Sequence, residues 1–414
     1  MRNTPFWWIL IGFMLLLDFY VFQALKVITQ SGSTRTKLLI FVIYWFISVA
    51  AIVLLLILPY LHFENQSRLF RNTIFACIAA LFFAKIIASV FFLIDDVRRG
   101  VQWVAGKISF SGDEPVTEGK KISRSLFLSW AGMLMGGGLF GSLLYGFNNK
   151  YRYQLKRFQM AFESLPASFK GLKIVHISDI HAGSFTDKAA VLRGVEKILK
   201  ENPDIILFSG DLVNNKADEM KDYMDVFSRL KAPMGVYSIL GNHDYGDYFR
   251  WDNKNEKIAN LERVKQIHSE LGWKLLINEN VELNRNGEKI VVIGIENWSA
   301  KARFSKYGSL KKAFEKASDY PFKILLSHDP SHWDAEVRKS YPAIDLTLSG
   351  HTHGMQFGVE IPGFKWSPVQ YIYKQWAGLY EEGKQKLYVN RGFGFIGYPG
   401  RVGILPEITI IELV

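Results

Sequence analysis

The first 147 residues contain three uninterrupted apolar stretches, Phe6–Leu17, Leu38–Leu58 and Ile74–Ile94, and a fourth, glycine-rich one, Leu126–Phe147. The hydrocarbon core of a bilayer takes about 20 apolar residues per helix. The last three segments meet that length, and the first does so if it runs through Asp18 to Leu25. Four membrane-spanning helices are therefore expected over residues 1–147. A linker with a first strand is expected over 148–170, and a separate folded domain over 171–414. Asp18 and Lys85 lie inside spans, where charge is costly and turns inward to the bundle or toward the interface; a helix-packing or interface role is expected for both. A cleaved signal peptide is not expected, because no small-residue cleavage site follows the first run and three more spans come after it.

The chain carries a formal charge of +11 over 414 residues. A basic chain raises the question of nucleic acid. Here the apolar residues crowd into the first third, so the lipid bilayer is the expected partner and nucleic acid is not. Cys77 is the only cysteine and sits in the third span, so no disulfide within the chain is possible. Four spans put both termini on one side. That side carries seven basic residues near the spans (Arg2, Arg68, Arg71, Lys150, Arg152, Lys156, Arg157). The other carries nine (Lys26, Arg35, Lys37, Arg98, Arg99, Lys107, Lys120, Lys121, Arg124). The positive-inside rule assigns the richer side to the cytoplasm, which makes the C-terminal domain of this integral membrane protein extracytoplasmic. The stretch KKISRSLF before the fourth span resembles a twin-arginine export signal that has lost one arginine.

Beyond residue 148 short apolar runs alternate with amphipathic stretches. Ile174–Ser178, Ile205–Ser209, Val236–Leu240, Val291–Ile295, Ile324–Ser327 and Leu346–Ser349 read as buried strands. Helical patterns cover Asp187–Lys200, Asp218–Leu230, Lys257–Leu271 and Leu310–Ala317, and Asn286-Gly287 marks a hairpin. The result is a layered α/β domain. What stands at its strand ends carries the chemistry. After IVHIS come Asp179 and His181; after IILFSG, Asp211; after VYSILG, Asn242, His243 and Asp244; after KILLS, His328; after LTLSG, His351 and His353. Sites in open α/β sheets form at the carboxyl ends of strands. Five chain-distant segments thus deliver carboxylate, imidazole and amide to one edge. Those ligands suit divalent Mn, Fe or Zn, and a carboxylate can bridge two ions. His176 sits within the first run and reads as a hydrogen-bonded core histidine; His62, His268 and His332 have no partner motif and read as structural or surface.

In order, the motifs SDIH, GD, GNHD, SHDP and GHTHG resemble those of the calcineurin-like metallophosphoesterase family, over residues 172–414. The resemblance implies a two-sheet β-sandwich flanked by helices and two divalent metal ions, with Mn foremost. It implies that Asp179, His181, Asp211 and His353 hold one ion, and that Asp211, Asn242, His328 and His351 hold the other. His243 would face the phosphate and protonate the leaving oxygen, with Asp244 orienting it. Together with the spans, GDYFRW, LGWKLLINEN and LYVNRGFG resemble membrane-associated bacterial members, which implies a bacterial inner membrane. Related members hydrolyse UDP-2,3-diacylglucosamine in lipid A synthesis, so a lipid-linked phosphoester or pyrophosphate is the implied substrate. That nucleotide sugar is cytoplasmic, opposite to the side the basic residues indicate, and both readings stand.

Arg391 and Arg401, in the loop NRGFGFIGYPGR, are expected either to fork around a phosphate or to be solvated. Phe364, Trp366, Tyr371, Tyr373 and Trp376 either pack as a lip over the site or meet an acyl chain or the bilayer interface. The reading from another functional class is a non-catalytic membrane sensor or scaffold that retains a metal-binding phosphoesterase-like domain. A transporter or channel formed by the spans is a third reading.

Overall fold

The computed structural model describes residues 5–57, 67–109 and 123–414. Arg2, His62, Lys120 and Lys121 lie outside them. The chain divides into two compact units, Met1–Tyr145 and Gly146–Val414.

The first unit contains α1 (Pro5–Ile28), α2 (Thr34–Ile57), α3 (Ser67–Ser109) and α4 (Leu126–Gly146). All four are long and apolar enough to cross a membrane. The third continues well beyond its apolar stretch as a charged helical extension. The glycines of α4 let it approach α3 closely: a Cβ on Gly136 would stand 2.6 Å from the Ala84 carbonyl oxygen. Small residues serve this purpose between membrane helices, where contact rather than water drives association. Asp18 of α1 and Lys85 of α3, separate puzzles in the sequence, form one buried ion pair. Ser48 of α2 donates to Asp18 at 2.9 Å and accepts from Lys85 at 2.9 Å. Pairing removes most of the penalty for charge in an apolar interior, so this trio ties three helices together.

In the second unit the strands, in chain order, are β1 (Gln154–Met160), β2 (Lys173–Ile177), β3 (Ile205–Phe208), β4 (Val236–Ser238) and β5 (Lys274–Leu275). Next come β6 (Glu279–Arg285), β7 (Glu288–Gly294), β8 (Lys323–Leu326), β9 (Leu346–Ser349), β10 (Val359–Ile361) and β11 (Phe364–Trp366). The last are β12 (Gly378–Glu382), β13 (Gln385–Val389) and β14 (Glu407–Leu413). One sheet runs β1-β14-β2-β3-β4-β5 and the other β12-β13-β9-β8-β7-β6, with β10 and β11 a separate ribbon. Within the sheets β2, β3, β4 and β5 are parallel, as are β7, β8, β9 and β13. Their carboxyl ends therefore open on one edge.

Period-2 alternation builds three layers of core. Ile290 and Val292 of β7 and Ile324 and Leu326 of β8 meet Ile174, Leu207 and Ile411 between the sheets. Their neighbours Val291, Ile293 and Leu325 turn outward onto Trp333 and Val337. On the first sheet, Val175, Ile206 and Phe208 turn outward onto Val191, Val195 and Ile198 of the helix Lys188–Lys200. The Asn286-Gly287 hairpin forms with both residues at positive φ, 53° and 84°, as a type I′ turn requires.

The helical patterns are realised unevenly. The pattern at Asp218–Leu230 breaks into two short turns, because Tyr223 packs against Phe185 with ring centroids 5.3 Å apart and its backbone leaves the helical region (φ −121°, ψ 0°). The pattern at Leu310–Ala317 is α-helical only over Leu310–Ala313. The helix Lys254–Glu270 begins earlier than its apolar period, because Asn253 caps it by accepting from the Glu256 amide at 3.0 Å. His176 is buried with Nε2 2.9 Å from Ser209 Oγ. His332 is buried between Ser327 and Glu336.

His268 is fully buried beside Phe208 and Trp273, and neither ring nitrogen has a hydrogen-bond partner. Burial pushes its pKa from the ordinary 6.5 down to about 3. Below pH 6.5 the unfolded chain takes up a proton that the fold refuses. Stability therefore falls by about 1.4 kcal/mol per pH unit as the pH drops from 6.5 toward 3. His268→Phe should match or exceed the parent's stability at pH 7.5 and gain a further ~3 kcal/mol over it at pH 4.5, measured by denaturant unfolding at both pH values. An unchanged difference would mean that His268 is not buried neutral.

Candidate metal centre

The site grows from strand ends. Asp179 and His181 follow β2, Asp211 follows β3, Asn242 follows β4, His328 follows β8, and His351 and His353 follow β9. Of these seven, Asp179, His181, Asp211, His351 and His353 have positive φ, between 50° and 71°. Left-handed backbone is strained for such residues and persists where the surroundings over-determine it. The strain bends each chain sharply inward as it leaves its strand. Gly350 leaves the space for this: a Cβ there would fall 1.8 Å from Ser178 Oγ and 2.2 Å from Asp179 Oδ2.

The side chains converge in two adjoining groups. Asp179, His181 and His353 form one, and Asp211, His328 and His351 the other, with ligand atoms in each within 4.8 Å of one another. In the first, His353 Nε2 lies 3.2 Å from Asp179 Oδ1 and 3.1 Å from His181 Nε2. In the second, His328 Nε2 lies 3.1 Å from Asp211 Oδ2 and 3.1 Å from Asn242 Oδ1. His351 Nδ1 lies 2.7 Å from the same Asn242 oxygen. The oxygen Asp211 Oδ2 also reaches the first group, 3.5 Å from His181 Nε2. It therefore forms the wall the two groups share.

The outward-facing hydrogen bonds show which atoms face in. His328 Nδ1 is 2.7 Å from the Ser209 carbonyl, to which it donates, so Nε2 presents its lone pair. His351 Nε2 contacts Tyr373 Oη at 2.9 Å and Asp329 Oδ2 at 3.4 Å, which leaves Nδ1 bare. Asn242 Nδ2 donates to Tyr248 at 3.0 Å, so the amide oxygen points inward. Acceptors thus face acceptors, and only a proton or a metal cation can sit among them. Ligand atoms about 2.0–2.2 Å from one ion lie about 3.0–3.5 Å from each other, and most of the pairs fall there, with His351–Asn242 closer at 2.7 Å. The donor set therefore fits divalent metal ions at two candidate sites. The field agrees with this. Burial opposes ionisation of Asp179, yet His353, His328 and His181 hold it well below the usual carboxylate range. Burial likewise opposes positive charge on His328, yet Asp211 pulls its pKa upward, so the pocket draws positive charge toward Nε2, a proton when no cation is there.

His243 belongs at the mouth. It is half-buried, its ring 5.0 Å from that of His181. Its Nδ1 donates to the Asn214 carbonyl at 2.8 Å, leaving Nε2 free. Asp244 does not orient it, contrary to the expectation from sequence. The Asp244 carboxylate accepts from the backbone N–H groups of Asp211, Leu212, Val213 and Gly241, at 2.8–3.1 Å. It fixes the loop that carries Asp211. Four amides claim the charge, so none is left for His243, and the Asn214 carbonyl takes the orienting role.

Arg391 and Arg401 also depart from expectation. They are 4% and 0% exposed, so neither is solvated. Arg391 pairs with Glu407 and, at 2.8 Å, with Glu360. Arg401 donates to the carbonyls of Arg391 (2.7 Å), Gly392 and His353 (both 3.3 Å) and to that of Gly394. Their terminal nitrogens are engaged inside the fold, so neither offers a fork to phosphate; Arg401 instead braces the loop behind His353. The sequence reading missed Asp329, although it was visible in SHDP, and named Tyr373 only as part of an aromatic lip; both contact His351.

Comparison with known proteins agrees with this geometry. The family model described as "Probable Calcineurin-like phosphoesterase, transmembrane domain" matches residues 1–150. The model "Calcineurin-like phosphoesterase" matches residues 172–355. YkuE, an uncharacterised metallophosphoesterase of Bacillus subtilis, is 30% identical over 305 residues, covering 71% of this chain and 98% of that protein. A transmembrane protein with metallophosphoesterase domain of Danio rerio is 29% identical over 62% of this chain and 56% of its own length. The UDP-2,3-diacylglucosamine pyrophosphatase LpxG of Chlamydia muridarum is 28% identical over 55% of this chain and 79% of its own. Four apolar helices joined to two mixed sheets with converging metal ligands thus mark an integral membrane protein that belongs to the calcineurin-like metallophosphoesterase family of metal-dependent phosphoester hydrolases.

Proposed function

We propose that residues 171–414 form a binuclear phosphohydrolase and that residues 1–147 hold it at a membrane. One observation carries the reading: two groups of inward-facing acceptors share the single oxygen Asp211 Oδ2. On this reading Asp179, His181, Asp211 and His353 hold one ion, and Asp211, Asn242, His328 and His351 the other. The oxygen and nitrogen ligands suit Mn, with Fe or Zn as alternatives. When bound, such ions neutralise phosphoryl oxygens and lower the pKa of water.

The chain's own residues supply the rest. Asp211 holds the two sites together, and Asp244 pins the loop that aims it. His243, with Nδ1 engaged by Asn214, turns Nε2 to the mouth, where it can give a proton to the departing oxygen. The ring of Phe304 stands edge-on 4.7 Å from that of His351 and packs against that wall. The substrate we propose is a lipid-linked phosphoester or pyrophosphate. Four spans support this, as does the LpxG relative, whose name gives a diacylated nucleotide sugar. The count of basic residues, nine against seven, supports an extracytoplasmic site at a bacterial inner membrane.

The test is metal-reconstituted hydrolysis by the full chain in detergent. Mn, Fe, Zn or no metal would be offered with bis-p-nitrophenyl phosphate, p-nitrophenyl phosphate or UDP-2,3-diacylglucosamine. Metal-dependent turnover is expected; two bound ions with no turnover on any substrate would instead support a sensor or scaffold. His353→Ala should lose bound metal and activity together. His243→Ala should keep its metal while kcat falls about 10²–10⁴-fold, and loss of metal from this variant would refute the role given to His243. Gly350→Ala should fold but bind metal more weakly, because its methyl displaces Asp179. Metal content by elemental analysis checks this, and unaltered content would show that the loop can shift.

A further inference from the structure

We propose that the ribbon β10–β11 and the turn after it seat in the interfacial layer of a lipid membrane, beside the metal centre. The ribbon is turned inside out relative to one packed on a water-soluble domain. Val359 pairs with Trp366 and Ile361 with Phe364 on one face, and Glu360 pairs with Lys365 on the other. The apolar face of such a ribbon ordinarily turns to the core. Here the polar face holds to the domain through its charged ends, although the Lys365 side chain stays partly in solvent, and on the apolar face Trp366 is half-buried. Glu360 accepts from Arg391 at 2.8 Å and from Lys156 at 3.2 Å. Lys365 donates to the Ala377 carbonyl at 2.5 Å. These anchors hold the apolar face outward, with Val359, Ile361 and Phe364 44%, 58% and 54% exposed.

The exposure continues on both flanks. Met355, two residues beyond His353, is 52% exposed, and Tyr371 and Ile372 are 78% and 44% exposed. The aromatic strip of the sequence thus divides. Tyr373 and Trp376 pack with Val369, Ala377 and Ile404, while Phe364 and Tyr371 face out. A contiguous apolar patch of this kind marks an interaction surface.

Three observations choose a lipid surface as its occupant. The same chain carries four membrane spans. Tyr and Trp are favoured at the depth where headgroups meet acyl chains. Cationic side chains border the patch: Lys374 and Arg303 are exposed, and the Lys301 ammonium lies 5.4 Å from the Tyr373 ring centroid. Cations in this position attract anionic headgroups. The patch is also continuous with the site, because Tyr373, next to Ile372, contacts His351 at 2.9 Å. A phosphoester held at headgroup depth would then meet the metal centre without leaving the membrane. That last step rests on the function proposed above; the surface itself does not.

The test reads the surface without turnover. In full-length protein with Cys77→Ala, Ile361→Cys would carry an environment-sensitive fluorophore. Lys384→Cys, whose side chain is 84% exposed, would serve as control. Both would be reconstituted into phosphatidylcholine–phosphatidylglycerol vesicles. The label at 361 should shift to the blue, lose emission to headgroup-depth nitroxide lipids and resist iodide, and the control should do none of these. Free access of iodide at 361 would overturn the proposal. So would protection from iodide without nitroxide quenching, which would indicate a protein cover such as a second copy. As a second reading, Ile361→Ser with Phe364→Ser should leave hydrolysis of bis-p-nitrophenyl phosphate unchanged and raise KM for a vesicle-borne lipid phosphodiester on the order of tenfold. An equal fall on both substrates would overturn the surface role. Absence of turnover in the parent would refute the enzymatic reading and leave the quenching result standing.

Discussion

Acceptor atoms packed against acceptor atoms repel, and much of the second unit is built to hold them there. Imidazole lone pairs, carboxylates and an amide oxygen meet within about one coordination radius, and only positive charge between them makes the arrangement stable. The surroundings supply what the ions do not. Two sheets with a dry core between them fix the strand ends. The left-handed turns at Asp179, His181, Asp211, His351 and His353 aim the side chains. Asp244, drawing in four backbone amides, keeps the Asp211 loop from relaxing. Preorganisation of this kind belongs to the fold, since the ligands come from five separate segments.

The first unit handles buried charge the other way. Asp18 and Lys85 neutralise each other, with Ser48 sharing hydrogen bonds to both. The pair is complete within the protein and needs nothing from outside. The same rule, that charge leaves water only with a partner, thus gives a structural pin in one unit and a metal-binding centre in the other. The Arg391–Glu407–Glu360 cluster is a third instance. It locks the loop behind His353 to the β10–β11 ribbon, so the polar side of that ribbon holds on to the domain and its apolar side is left outward.

The spans, the buried strands and the candidate metal ligands were legible in the chain because each leaves a local trace. Apolar runs of bilayer length, short runs ending in Gly-Asp or Gly-His, and the motif order all survive without coordinates. What local pattern could not show was direction. Arg391 and Arg401 sit in a glycine-rich loop that reads as exposed, yet they point inward, because buried carbonyls and Glu407 are within reach only after folding. Asp244 follows His243 in sequence, yet faces the opposite way, toward the amides of a loop more than thirty residues earlier. The helix expected at Asp218–Leu230 had a sound amphipathic pattern but gave way to the packing of Tyr223 on Phe185.

By itself, then, the sequence determined the membrane-spanning segment, the α/β class and which polar side chains stand at the strand ends, since these depend on composition and period along the chain. The tertiary structure decided the partners: which carboxylate faces both ligand groups, which carbonyl orients His243, which charge answers Asp18, and which face of the last ribbon meets solvent. Partnership is a matter of distance in space, and residues 172 apart in the chain, such as His181 and His353, have no local signal that they will stand 3.1 Å from each other.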